Sequence, residues 1–205
     1  NGLKCYDTFT GFKFLAEKKD KLEASGEGKV IFSYEESYGY MLGDYVRDKD
    51  AVTASMLLTE MAAWYAAQGM TLFDALNALY EKYGYYAEKT HNLVMPGLDG
   101  LRDMAELMRK LKDEPPTEIA GTEVVVRKDY NDGTVHDCRT GAVTKMELSG
   151  SNVLRFELSD GTTILARPSG TEPKIKVYIL ARGKDAADAA ANVEKYGAWA
   201  EALKG

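Results

Sequence analysis

The 205-residue chain is 45% hydrophobic and 28% charged, which is the composition of a folded globular protein and excludes a disordered or fibrous one. Its net charge of −6 argues against general nucleic-acid binding, which needs a basic face, but not against a small anionic ligand. Two cysteines, with no CxxC pair or Cys/His cluster, give neither a disulfide framework nor a zinc signature. No apolar run approaches the ~18 residues that span a bilayer, and no signal peptide begins the chain, so we expect a cytoplasmic protein. Because the chain starts at Asn1 without a methionine, we expect it to be part of a longer protein.

The first half of the chain predicts three helices and one strand. Apolar spacing predicts a helix over 13–24, and the β-branched and aromatic run 29–34 predicts a strand buried in a parallel or mixed sheet. Helices follow over 51–68, capped by Asp48 or Asp50, and over 72–83. The first of these has an apolar face that we expect to lie in the core, formed by Val52, Met56, Leu57, Met61, Trp64 and Tyr65.

The second half predicts a small α+β domain. Pro96-Gly97 breaks the chain, so we place a domain boundary between residues 95 and 96. The turn Ser159-Asp160-Gly161 predicts a hairpin, and the strict alternation over 175–181 predicts a strand with one buried face. The remaining elements are a helix over 98–111, strands over 123–130, 152–158 and 162–166, and a last helix over 185–203.

Polar residues follow the strand over 29–34. Glu35 and Ser37 are two apart and would project to the same side if the strand continued, where a carboxylate and a hydroxyl suit the vicinal hydroxyls of a sugar. The alternative is a solvated acidic loop. Lys49, at the start of a helix, either pairs with Asp48 or Asp50 or acts as an acid/base group.

The stretch 167–174 lies between two strands and suits a phosphate. Arg167 offers a planar fork of donors, and Ser169 and Thr171 offer hydroxyls. Gly170 lets the backbone turn its N–H groups inward, and a proline near each end stiffens the loop. The alternative is an ordinary polar turn that contains an arginine.

Four stretches, taken in order, resemble the α-D-phosphohexomutases, the phosphoglucomutase/phosphomannomutase superfamily. They are residues 10–13 (TGFK), 35–39 (EESYG), 47–50 (RDKD) and 167–171 (RPSGT), and the resemblance covers essentially the whole chain. It implies a four-domain enzyme in which residues 1–95 belong to the third α/β domain, with a mixed sheet that lacks its first strand and helix. Residues 96–205 would form the fourth domain, a TATA-binding-protein-like α+β fold.

The resemblance also implies roles for individual residues. Glu35 and Ser37 match the pair that contacts two sugar hydroxyls, Thr10 and Gly11 match the turn beside the sugar, and Lys49 matches the acid/base lysine of phosphoglucomutase-like members. Members with a histidine just after the sugar motif differ from this chain, which favours phosphoglucomutase-like specificity. The loop for the non-transferring phosphate is matched by Arg167, Ser169, Gly170 and Thr171, and more loosely by Lys174 and Lys176.

Two loops of the family are absent from this chain, the phosphoserine loop and the Asp-x-Asp-x-Asp-Arg loop that binds Mg²⁺. We therefore expect the chain to be inert alone, and to need the N-terminal domains of the same enzyme for the phosphoryl donor and the Mg²⁺. The intact enzyme would interconvert hexose 1-phosphate and hexose 6-phosphate through a bisphosphate intermediate. Two alternatives are a stand-alone sugar-phosphate binding module and a structural protein in which the loop is a mere turn. The sequence does not separate glucose, mannose, glucosamine and pentose phosphates.

Overall fold

The computed structural model describes residues 2–35, 37–43 and 45–204, which divide into two compact units, Asn1–Ala78 and Leu79–Gly205. None of the helices formed by these residues has the length and apolar character needed to cross a membrane. The first unit contains, in chain order, α1 (Phe12–Ala24), β1 (Phe32–Tyr34), β2 (Tyr40–Leu42) and α2 (Ala51–Ala66), and the division between the units falls within α3 (Leu72–Tyr83).

The strands of the first unit form an antiparallel hairpin, in which Ser33 lies opposite Met41 and both side chains are buried. The prediction that this strand is buried in a parallel or mixed sheet is wrong for most of its length, since Ile31, Phe32 and Tyr34 are exposed. The reason is that β2 is the only strand that pairs with β1 within the described residues. A two-stranded hairpin offers no layer that could cover an apolar face.

The expectation of a buried face on α2 is also wrong. Among its described residues none is buried, and the exposed fractions of Val52 and Trp64 are 78% and 60%. Apolar periodicity shows which face of a helix would bury if a partner were present, but it does not supply the partner. The start of α2 does agree with the sequence, because the Asp50 side chain caps it.

The second unit is a sheet with two helices on one face. Within the described residues its strands follow the order β3-β10-β9-β8-β5-β6-β7, all neighbours are antiparallel, and β4 pairs with β5. Its elements are β3 (Tyr85–Val94), α4 (Gly100–Asp113), β4 (Glu118–Ile119), β5 (Thr122–Asp129), β6 (Thr134–Asp137), β7 (Val143–Lys145), β8 (Leu154–Leu158), β9 (Thr163–Pro168), β10 (Lys174–Gly183) and α5 (Ala186–Ala202).

The core of this unit lies between the sheet and its helices. Alternate residues of β10, including Ile175 and Ile179, are fully buried and pack in one cluster with Met108 of α4 and Tyr196 of α5. The predicted one-sided burial of this strand is therefore confirmed. The intervening residues of β10 lie on the opposite face of the sheet, which we call the open face; among them is Tyr178.

Strand β3 belongs to the second unit, although the sequence assigns residues 1–95 to the first domain. All ten of its residues pair with β10, from Tyr85 opposite Gly183 to Val94 opposite Lys174. Gly84, with φ of 104°, separates this strand from the end of α3. The break at Pro96-Gly97 therefore joins a strand and a helix of the same unit, because a Pro-Gly pair marks a turn without showing whether a domain ends there.

Candidate functional site

Lys49 is held by the turn that starts α2. The backbone N–H of Asp50 donates to the carbonyl of Tyr40 (2.9 Å), and the Asp50 carboxylate accepts from the N–H and the hydroxyl of Thr53 (3.1 and 2.6 Å) and from the hydroxyl of Tyr45. These bonds, that from the Thr53 hydroxyl first, hold the pKa of the Asp50 carboxyl well below its ordinary value. The backbone adjoining Lys49 is therefore fixed by the helix cap.

The ammonium group of Lys49 pairs with Glu35. Its Nζ lies 3.1 Å from Glu35 Oε1 and 5.6 Å from the centre of the Phe12 ring. The alternative in which the Lys49 side chain pairs with Asp48 or Asp50 is wrong, because its ammonium pairs with Glu35. The Asp48 carboxylate accepts a hydrogen bond from the backbone N–H of Lys49 (2.7 Å). The structure thus joins the proposed acid/base lysine to the proposed sugar-binding carboxylate, an arrangement that can pass a proton and hydrogen-bond a hydroxyl.

The turn between β1 and β2 places the Glu35 carboxylate. The Glu35 N–H donates to the carbonyl of Gly39 (3.0 Å), and a Cβ at Gly39 would lie 2.5 Å from Glu35 Oε1. Gly39 thus leaves room for the carboxylate, a role that its residue type alone does not reveal. Because β1 ends at Tyr34, the strand geometry that would align Ser37 with Glu35 does not continue, and Ser37 is exposed in the turn. Glu36 lies outside the described residues.

Thr10 and Gly11 share a cavity with Glu35. Together with Glu35 they line a cavity of about 750 Å³ in the first unit. The carbonyl of Gly11 accepts from the N–H of Phe14 (2.9 Å) at the start of α1, and its φ of 125° favours glycine. Ser37 and Lys49 are not among the described residues that line this cavity, so the structure gathers part of the proposed sugar-binding set around it.

The second candidate site is the loop between β9 and β10. Arg167 and Lys176 lie directly opposite each other in the register of these strands, and both project from the open face. Two like charges in this arrangement repel each other. Within the described residues neither cation forms an ion pair with a carboxylate, because the nearby Glu172 carboxylate pairs with Lys174 instead.

Internal hydrogen bonds close this loop. The Ser169 N–H donates to the carbonyl of Lys174 (2.8 Å), while the Ser169 hydroxyl accepts long bonds from the N–H groups of Thr171 and Glu172 (3.4 and 3.3 Å). These N–H groups point into the loop, as an anion would require. A Cβ at Gly170 would meet nothing within 4 Å, so packing in this state does not demand a glycine there.

Glu172 is a loop residue to which the sequence pattern gave no role. Its Oε2 lies 2.5 Å from Nζ of Lys174. Lys174 first, and then the charge of Lys176, keep the pKa of the Glu172 carboxyl below its ordinary value. The ion pair of Glu172 and Lys174 could have been predicted from the sequence, because a glutamate lies two residues before a lysine in this loop. The loop thus contains its own competing anion.

The described parts of the chain contain no group of three or more His, Cys, Asp and Glu side chains that could hold a metal ion. The resemblance places the ligands of Mg²⁺ outside this chain, and we assign no step of a reaction in this chain to that ion.

Comparison with known proteins agrees with the fold. Residues 1–83 match the model of the phosphoglucomutase/phosphomannomutase alpha/beta/alpha domain III, and residues 92–194 match that of the C-terminal domain of the same family. The chain therefore comprises domains III and IV of the phosphohexomutase fold, and it belongs to the phosphoglucomutase/phosphomannomutase family.

Relatives with curated names include the phosphoglucomutases of Staphylococcus aureus. That of strain N315 is 34% identical over 193 residues, which cover 94% of this chain and 34% of the relative; that of strain RF122 is 35% identical over 179 residues, covering 87% and 32%. The chain thus spans about one third of the length of these relatives. A solved structure of pp63/parafusin, a phosphoglucomutase of Paramecium in its open form, aligns with 99% of this chain and with 34% of the parafusin chain. The TM-score is 0.64 and the sequence identity is 21%, which supports the fold.

Proposed function

We propose that this chain is the C-terminal part of a phosphoglucomutase-like enzyme that interconverts hexose 1-phosphate and hexose 6-phosphate. The observation that carries the proposal is the opposed pair Arg167 and Lys176, which forms no ion pair with a carboxylate within the described residues. The two residues lie on the strands that flank a loop of inward-pointing N–H groups. A phosphate group supplies the negative charge that such a pair lacks, and a guanidinium can bind two of its oxygens at once.

In this proposal the loop of the second unit holds the phosphate that is not transferred. The N–H groups of Thr171 and Glu172 release their long bonds to Ser169 and donate to phosphate oxygens instead. Arg167 and Lys176 neutralise the charge from the open face, and Gly170 leaves the backbone accessible. Because such a loop recognises an anion, it accepts either phosphate position of the sugar.

The first unit supplies the sugar-binding side chains. Glu35 and Ser37 contact ring hydroxyls, and Thr10 and Gly11 form the adjoining turn. The ammonium of Lys49 first passes a proton to the Glu35 carboxylate at 3.1 Å, and the neutral amine then takes the proton of the attacking hydroxyl. In the other half-reaction the lysine returns that proton to the leaving oxygen. The phosphoryl donor is a phosphoserine outside this chain, as is the Mg²⁺, so the chain alone has no turnover.

The proposal is tested by titrating glucose 1-phosphate into the ¹⁵N-labelled chain and following its amide resonances. We expect shifts at Arg167, Ser169 and Thr171, and weaker binding in Lys176→Gln. A matched control is Lys128→Gln, since Lys128 is a cation of the same sheet whose Nζ already lies 2.8 Å from a Glu157 carboxylate oxygen. Absence of shifts in the loop rejects the phosphate-binding role.

A mutase assay tests the enzymatic part of the proposal. We expect interconversion of glucose 1-phosphate and glucose 6-phosphate by the whole protein and none by the 205-residue chain. Turnover by the chain alone contradicts the requirement for the other domains. Binding without turnover by the whole protein would instead make the protein a sugar-phosphate binding module.

A further inference from the structure

The guanidinium of Arg167 rests on the side chain of Tyr178. Its Nη2 donates to the Tyr178 hydroxyl (3.1 Å), and its Cζ lies 5.9 Å from the centre of the tyrosine ring. Its Nε is buried and has no hydrogen-bond partner within the described residues. The bond to the tyrosine is therefore the contact that fixes the rotation of the guanidinium plane.

Tyr178 belongs to an interior strand of the sheet. β10 is paired on both sides, and Tyr178 lies opposite Leu165 of β9 and Thr90 of β3. Its chain neighbours Val177 and Ile179 are buried in the core on the other face. A side chain anchored in this way has a fixed position from which to orient a neighbour.

Arg167, by contrast, lies near the end of its strand. It is followed by Pro168, the last residue of β9, and it faces the like charge of Lys176. Repulsion from Lys176 favours orientations of the guanidinium that point away from the lysine. An acceptor such as the Tyr178 hydroxyl opposes this repulsion and holds the arginine beside the loop.

From this geometry we propose that Tyr178 is a positioning residue for phosphate binding, which acts by fixing the orientation of Arg167. The inference rests on the proposed function of the loop, and adds to it a residue outside the loop motif. Pre-orienting the guanidinium lowers the conformational entropy that binding would otherwise cost.

The test compares three variants of the 205-residue chain. Tyr178→Phe keeps the ring and removes the hydroxyl, and Tyr178→Leu removes both. Tyr86→Phe is the matched control, because Tyr86 lies opposite Arg182 at the other end of β10, with the same distance of 5.9 Å from ring centre to Cζ. The measurements are guanidinium NMR of Arg167 in the unliganded chain, binding of inorganic phosphate, and thermal unfolding.

We expect Tyr178→Phe to free the rotation of the Arg167 guanidinium before any phosphate is added. Because the hydroxyl acts on phosphate only through the arginine, the variant should weaken phosphate binding roughly threefold to tenfold, which is the net contribution of a typical single hydrogen bond. Tyr178→Leu should weaken binding further, and Tyr86→Phe should change neither measurement. Comparable unfolding temperatures for Tyr178→Phe and Tyr86→Phe would separate positioning from a general loss of stability.

Unchanged Arg167 resonances in Tyr178→Phe overturn the positioning role, even where phosphate binding is weaker, because a direct bond from Tyr178 to phosphate would leave the unliganded arginine unaffected. Changed resonances with phosphate affinity equal to that of the parent overturn it as well. If the parent chain itself binds no phosphate, the proposed function fails, and the inference fails with it. If Arg167 is freed and binding is weaker, the role is supported.

Discussion

Replacing Glu172 by glutamine should strengthen phosphate binding by the loop. The Glu172 carboxylate pairs with the ammonium of Lys174 at 2.5 Å, so an incoming phosphate competes with this carboxylate and is repelled by it. The substitution Glu172→Gln removes the charge and keeps the shape of the side chain. The backbone bond from Lys174 N–H to the Glu172 carbonyl (2.8 Å), which shapes the turn, is not altered.

The size of the effect follows from the geometry. A phosphate that contacts Lys174 from the side opposite Glu172 would lie roughly 5–6 Å from the carboxylate, where the Coulomb repulsion of two unit charges in water corresponds to about a threefold change in affinity. A phosphate dianion makes the change about tenfold. We therefore expect phosphate to bind Glu172→Gln about threefold to tenfold more tightly at low ionic strength.

The assay is a calorimetric or NMR titration with inorganic phosphate at two salt concentrations. Because the screening length is about 10 Å at 0.1 M salt and 3 Å at 1 M, most of the gain should disappear at the higher concentration. Glu201→Gln is a control, since Glu201 also pairs with a lysine at 2.5 Å, Lys204, but on α5. Equal or weaker binding by Glu172→Gln at low salt would refute the competition and would show that Glu172 serves to hold Lys174 in place.

Three further predictions concern other parts of the molecule. Tyr196→Phe removes a buried hydroxyl that donates to Asp160, and should lower the free energy of unfolding, measured in denaturant, by roughly 1–3 kcal/mol. Burial, and then Asp160, raise the pKa of Tyr196 from 10.0 to about 12. The parent should therefore lose stability as the pH rises from 10 to 12, and the variant should lose less. Gly39→Ala should move the Glu35 carboxylate away from Lys49, and an unchanged 3.1 Å separation in its crystal structure would contradict the steric argument. Lys49→Arg in the whole protein should lower turnover about 10²–10⁴-fold, whereas turnover within a few-fold of the parent would remove Lys49 from proton transfer.

Local patterns predicted the regular elements of the chain well. The helix over 72–83 begins and ends where the apolar spacing and the flanking Thr71 and Gly84 place it, and the hairpin around Asp160 forms as its turn sequence indicates. The alternation in β10 correctly assigned its buried face. These features depend on residues close in the chain, so a single sequence contains all the information needed to find them.

The same patterns failed where burial depends on a partner. The apolar face of α2 has the periodicity of a core helix and is exposed, because within the described residues no layer covers it. Strand β3 was separated from the second unit by a Pro-Gly break, although all of its pairing is with β10, some 90 residues further along the chain. Register over such a separation is chosen by the fit of whole faces, which no local pattern records.

The sequence by itself determined the family, the positions of the two motif regions and the chemical types of their side chains. Only the tertiary structure decided which of these side chains meet: Lys49 with Glu35, Lys174 with Glu172, and Arg167 with Tyr178. The physical reason is that a charged or hydroxyl group has several possible partners of suitable chemistry. The backbone geometry of strands and turns brings one of them within hydrogen-bond distance.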